Sequence, residues 1–143
     1  MSTPEWHSQS MIDATDLAGS RIRIATGPST ARTGEWIGLR IGGEDAADVW
    51  LTVWHATQLY CELATVHRSR QSKEVPLLGR VKGHQVPVVL ARRKEGTEAL
   101  VTTLRIGCGA TTAALLSDDA VKQLRTQLNG ALKELFDRGP TSR

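Results

Sequence analysis

The chain has 143 residues, with 18 Lys and Arg against 15 Asp and Glu, a net charge of +3 and 40% hydrophobic residues, which suits one domain with a sizeable core. The first 50 residues contain no apolar run of signal-peptide or membrane length, and the polar, acidic opening segment points to a soluble, cytoplasmic protein. Two cysteines, Cys61 and Cys108, stand at non-equivalent places, do not suggest a disulfide framework and read as buried or half-buried thiols.

In chain order, residues 1–19 form an N-terminal segment, disordered or contributing an edge strand near Met11 to Ala14. Arg21-Ile22-Arg23-Ile24-Ala25 alternates charged and apolar residues, the pattern of a half-buried strand that ends at Gly27-Pro28. In Glu35 to Ile41 the alternation places Ile37, Leu39 and Ile41 on one face and Trp36, Gly38 and Arg40 on the other. Gly42-Gly43-Glu44-Asp45 is hairpin chemistry, and Ala47 to Leu51 is the return strand. Thr52 then caps a helix to about His67, with Ala56, Leu59, Tyr60, Leu63 and Val66 as its apolar stripe.

Residues 68–74 read as a basic linker. Beyond them, two strands covering Val75 to Val81 and Val86 to Ala91 carry prolines that favour edge or strand-start positions. Lys82-Gly83-His84 is the turn between them, and Arg92-Arg93-Lys94-Glu95-Gly96 is the next turn. Ala99 to Ile106 and Ala113 to Leu116 complete the strands, with Thr102, Leu104 and Ile106 facing the core. Ser117 caps a second helix striped by Val121, Leu124, Leu128, Leu132 and Leu135 and ended by Gly139-Pro140.

A tetrapeptide ties these elements together. Leu39-Arg40-Ile41-Gly42 recurs as Leu104-Arg105-Ile106-Gly107, 65 positions later, and at the same offset Leu51, Thr52, Gln58, Leu59 and Leu63 fall on Leu116, Ser117, Gln123, Leu124 and Leu128. The expected fold is α+β: a tandem repeat of antiparallel sheet followed by a helix, ββββα twice, about a pseudo-twofold. The repeats span 20–67 and 75–138, and 139–143 is a tail. An apolar residue ending the last strand, a capping residue, then leucines about eight and twelve positions on resembles the Whirly, Pur-alpha and transcriptional-coactivator-p15 group of single-strand nucleic-acid-binding folds. That resemblance, which is architectural and covers roughly residues 20–136, implies DNA binding and transcription regulation.

Charge is unevenly spread. Residues 68–94 hold eight basic side chains against Glu74 alone, whereas residues 1–67 hold four against eight acids. The basic stretch reads either as a solvated linker and turn or as the footprint of a polyanion. Stacking on an outward Trp36 with nearby guanidinium groups selects Arg21, Arg23, Trp36, Arg40, Lys82, Arg92, Arg93, Lys94 and Arg105 as nucleic-acid-binding residues. Trp36 has a second reading, as a residue covered by the N-terminal segment, the other repeat or a partner, and Trp50 and Trp54 read as core or interface.

Motifs for catalysis and cofactors are missing from the sequence. His55, Cys61 and His67 are spread around their helix, Gly107-Cys108-Gly109 reads as a turn, and no phosphate-cradling loop or nucleophile elbow occurs. The expectation is a non-enzymatic protein without cofactor or metal that binds single-stranded DNA or RNA through sheet surface and basic loops. The alternative is a small regulatory or mobile-element protein-interaction module, a homodimer formed through helices and sheet faces. A third is an enzyme whose site sequence does not connect.

Overall fold

The computed structural model describes residues 3–96, 98–107 and 112–138. The readings placed on Cys108-Gly109 and on Gly139-Pro140 lie outside them. Eight strands occur in the order β1 (Ser10–Thr15), β2 (Arg21–Pro28), β3 (Trp36–Ile41), β4 (Val49–Thr52), β5 (Lys73–Val81), β6 (His84–Lys94), β7 (Leu100–Ile106) and β8 (Thr112–Leu116). Helix α1 (Val53–His67) lies in mid-chain after β4, and α2 (Asp118–Asp137) follows β8.

The class is α+β: an eight-strand antiparallel sheet with two helices. Each strand pairs with its sequence neighbour, and β1 also meets β8, so the sheet closes into a barrel. Two of these joints are slight. Strand β4 meets β5 only at Trp50 opposite Arg80, and β8 meets β1 only at Leu115 opposite Thr15. The strands part on either side of each pair. We call these joints the two seams.

Local chemistry fixes the ends of the elements. Thr52 Oγ1 accepts from the His55 N–H at 3.2 Å and Ser117 Oγ from the Ala120 N–H at 3.1 Å, so both helices start on a hydroxyl cap. Asp118 and Asp119 occupy the first turn of α2, where the helix dipole favours negative charge. Strands β5 and β6 are joined by the two residues Lys82 (φ 49°) and Gly83 (φ 84°), both in the left-handed conformation that a tight hairpin demands. Pro76 is tolerated because that part of β5 has β6 as its only strand neighbour, and Pro87 precedes the first β6–β7 pair, Val88 opposite Ile106.

One core serves the whole chain. Inward residues of the strands (Ile24, Ile37, Leu39, Leu51, Val88, Leu90 and Leu104 among them) cluster with Leu59 and Leu63 of α1 and Leu124 and Leu128 of α2. Helix α1 packs chiefly on β5 and β6, α2 on β1 and β2, and the helices pack on each other. Each helix therefore lies chiefly against strands from the opposite half of the chain. No helix among the described residues is long and apolar enough to cross a membrane.

Several boundaries differ from the sequence reading. The linker is shorter than 68–74 because β5 begins at Lys73, and the return strand is Val49–Thr52. Arg92, Arg93 and Lys94 are the last residues of β6, not a turn, because they remain paired with Thr102, Val101 and Leu100 of β7.

Leu59 and Leu124 are both fully buried. Leu59→Ala and Leu124→Ala should each lower stability by about 2–5 kcal/mol, measured by chemical denaturation. A loss near zero at either site would be incompatible with this core.

Candidate nucleic-acid interface

On the outer face of β3 the alternation places Trp36, Gly38 and Arg40, and the three meet different fates. Gly38 is covered by two indoles: a Cβ there would lie 2.6 Å from Trp6 and 2.8 Å from Trp50. Trp50 points outward from β4 opposite the buried Leu51 and is only 3% exposed, because Trp6 of the N-terminal segment packs on it with ring centroids 5.0 Å apart. Main-chain bonds from His7 N–H to Pro28 and from Thr30 N–H to Glu5 hold that segment on the sheet. Arg40 sits over Trp6 at 5.7 Å and is fixed by Asp48 at 3.2 Å and Gln9 at 3.1 Å. Arg40 therefore supports this layer and has no free face for a phosphate.

Trp36 is half-buried and open on one side. It lines a cleft of about 520 Å³ at the β4–β5 seam, together with Trp50, Arg32, Arg80, Lys82 and Gly83, and Thr3 and Pro4 close one end. The Arg80 guanidinium reaches across the seam from β5 to lie 5.6 Å from the Trp36 ring centroid. Lys82 stands on the tight turn and Arg32 on a short 3-10 turn (Ala31–Thr33), so three cations approach the indoles from three separate segments. No carboxylate lines the cleft among the described residues. Among the described residues, no acid forms an ion pair with Arg32, Arg80 or Lys82, in contrast to Arg23, Arg40, Arg93, Lys94 and Arg105.

Of the nine site residues expected from sequence, this cleft brings together Trp36 and Lys82. Arg23 pairs with Asp13 at 3.7 Å on the exposed β1–β2 surface. Arg93 and Arg105 converge on Glu95, Arg93 also reaches Glu74, and Lys94 faces Glu98 at 3.8 Å. Arg92 is turned toward the interior, donating to the Ser69 carbonyl at 3.3 Å and to Thr102 Oγ1 at 3.0 Å. Arg21 is exposed beside the other seam. Arg32 and Arg80 were not among the nine, and Trp50, read from sequence as core or interface, is buried. The outward position of Arg80 follows from the alternation of Val75, Leu77 and Gly79, but its neighbour across the seam has no local sequence signal. Trp54, expected in the core or an interface, is 74% exposed on the first turn of α1.

A second polar group lies near the β8–β1 seam. His67, the last residue of α1, places Nδ1 2.7 Å from Thr102 Oγ1 and donates from Nε2 to Asp118 Oδ1 at 2.5 Å. This line joins the end of α1 to β7 and to the start of α2. Its order of carboxylate, imidazole and hydroxyl matches that of a nucleophile triad. Thr102, however, is fully buried and already accepts from Arg92, so its hydroxyl is closed to a substrate. No group of three or more His, Cys, Asp or Glu is gathered as a metal site among the described residues.

The hydrogen bond from His67, followed by the charge of that ring, holds the Asp118 carboxyl below the usual carboxylate range. A carboxyl whose pKa is lowered by folding contributes stability above its unfolded-state pKa and loses it as pH falls through the lowered value. Asp118→Asn should thus reduce the melting temperature at neutral pH, and the gap from the parent should close in strong acid. A gap independent of pH would contradict the pairing. Gly38→Ala should displace Trp6 or Trp50, detectable as a change in tryptophan fluorescence together with a lower melting temperature; an unchanged spectrum would contradict the close approach.

No protein-family model, curated protein or solved structure matches the chain, so its role has to be sought in the chemistry of the cleft.

Proposed function

We propose that the protein binds single-stranded DNA or RNA at the β4–β5 seam, as a binding protein without catalytic activity. The observation that carries this is the pairing of an open indole, Trp36, with three cations that have no acidic partner, Arg32, Arg80 and Lys82, around a cleft free of carboxylates. Unpaired bases stack on indole faces and guanidinium groups pair with phosphate, and both together are what a single strand offers. A duplex offers the phosphates but keeps its bases stacked on each other. At about 520 Å³ the cleft also falls within the roughly 300–1,000 Å³ typical of ligand sites, enough for one nucleotide and its flanking phosphates.

The same proposal includes the ββββα tandem repeat and its likeness to the Whirly, Pur-alpha and transcriptional-coactivator-p15 group. Strand registers support it. Ile37 opposite Leu51 in β3–β4 corresponds, 65 positions on, to Thr102 opposite Leu116 in β7–β8. The pair at one seam, Trp50 and Arg80, corresponds by the same shift to Leu115 and Thr15 at the other. Tyr60 and Arg125, themselves 65 apart, stack at 4.6 Å where the helices cross, as equivalent residues beside a twofold axis would.

Exposed Trp54 on α1 and Phe136 on α2, 69% exposed, favour a second reading as a protein-interaction module. That reading predicts self-association independent of the cleft.

A mixed-sequence single strand should bind more tightly than the matching duplex, with affinity falling steeply as salt is added. Trp36→Ala should cost about 1–3 kcal/mol of binding, and Arg80→Ala or Lys82→Ala should each lower the salt slope by about one unit. Arg93→Ala, whose guanidinium is held by Glu95 and Glu74, is the control and should change little. Fluorescence anisotropy of labelled strands at several salt concentrations measures all of these. Equal binding to duplex with no effect of Trp36→Ala would reject the proposal.

A further inference from the structure

The β8–β1 seam has a cleft of its own, about 450 Å³ in volume, lined by Val101, Leu115 and Thr15 among others. These three residues stand 65 positions from Trp36, Trp50 and Arg80 respectively. The two clefts therefore occupy corresponding places at the two seams, and each draws on both halves of the chain. The equivalence makes a controlled comparison of their chemistry.

At the three matched positions the chemistry of the two clefts differs. Val101 and Leu115 are aliphatic where Trp36 and Trp50 are aromatic, so no stacking platform exists. Thr15 is neutral where Arg80 is cationic. The basic side chains lining it are mostly engaged: Arg92 is bound to Ser69 and Thr102, His67 is held between Thr102 and Asp118, and Arg21 is exposed at the rim. Two carboxylates, Asp13 and Asp118, line the same opening, and their side chains are 85% and 87% exposed. A phosphate entering there meets two exposed carboxylates, each already paired with a basic neighbour (Asp13 with Arg23, Asp118 with His67), where the first cleft has no carboxylate among its described lining residues.

We infer, on the basis of the nucleic-acid reading, that each chain holds one unpaired strand at one seam only, off the pseudo-twofold axis. A base packs on Trp36, and its flanking phosphates are taken by Arg80, Lys82 and Arg32. Trp36 and Arg80, contributed from opposite sides of the β4–β5 seam, determine which of two equivalent clefts is used. Binding capacity is thus not duplicated with the architecture.

A short oligothymidylate titrated into the protein, with stoichiometry read by calorimetry and by native mass spectrometry, tests this. One oligonucleotide per chain is expected. Trp36→Val with Arg80→Thr, which gives the first cleft the side chains of the second, should weaken binding at least tenfold, whereas Arg21→Ser at the second cleft should leave the affinity within twofold. Two oligonucleotides per chain, or a loss on Arg21→Ser as large as that at the first seam, would overturn the single-seam inference and leave the nucleic-acid reading standing. No binding by the parent protein at low salt would overturn both. The stoichiometry is read on the parent, so the first criterion holds even where a variant folds poorly.

Discussion

An antiparallel sheet of eight strands has two open edges unless it closes, and here closure rests on two contacts of one residue pair each, Trp50 with Arg80 and Leu115 with Thr15. Everything distinctive about the surface follows from how little holds these seams. The barrel is not kept shut by its ladder at those points but by the core behind them, where α1 reaches β5 and β6 and α2 reaches β1 and β2. Each helix thus ties one half of the chain to the other. Where the strands part, side chains of adjoining strands lie apart and a cleft opens beside each seam. The same geometry that limits hydrogen bonding opens the two seam clefts.

What fills the outer face next to the first seam is aromatic. Gly38 leaves room for indoles to approach β3, Trp50 and Trp6 take that room with their rings tilted 51° to one another, and Arg40 closes the layer with its charge answered by Asp48. An apolar layer outside a barrel would be an unusual exposure if nothing covered it, and the N-terminal segment covers most of it. Trp36 is the part left accessible, and the Arg80 guanidinium lies over its ring. The candidate interface is thus the open margin of a layer that is otherwise packed.

The sequence carried the elements well and their assembly poorly. Period-two alternation in Trp36 to Ile41 and the leucine spacing in both helices reflect local geometry, so strand faces, helix stripes and the Thr52 and Ser117 caps were legible. The ends of β6 were not. Arg92-Arg93-Lys94 has the composition of a turn, but pairing with β7 overrides composition and keeps it extended. Closure was not legible either, since the partner of Trp50 across the seam is set by tertiary packing and lies 30 positions away. Trp6 gave no signal because its contacts with Trp50 and Gly38 are all long-range.

Charge shows the same limit most sharply. Counting along the chain singles out residues 68–94, yet Arg93 and Lys94 are answered by Glu95, Glu74 and Glu98, and Arg92 is spent on Ser69 and Thr102. A cation already hydrogen-bonded within the protein must give up those bonds to meet a phosphate, so it adds little net attraction. The cations at the cleft without an acidic partner among the described residues are Arg32 after β2, Arg80 on β5 and Lys82 on the following turn, and folding is what brings Arg32 to the other two. Two of the three lie in the basic stretch, whereas Arg92, Arg93 and Lys94 of the same stretch are engaged within the protein. What distinguishes a binding surface from a solvated or self-neutralised one is therefore not the density of positive charge in sequence but whether the fold leaves that charge unanswered beside a ring on which a base can stack.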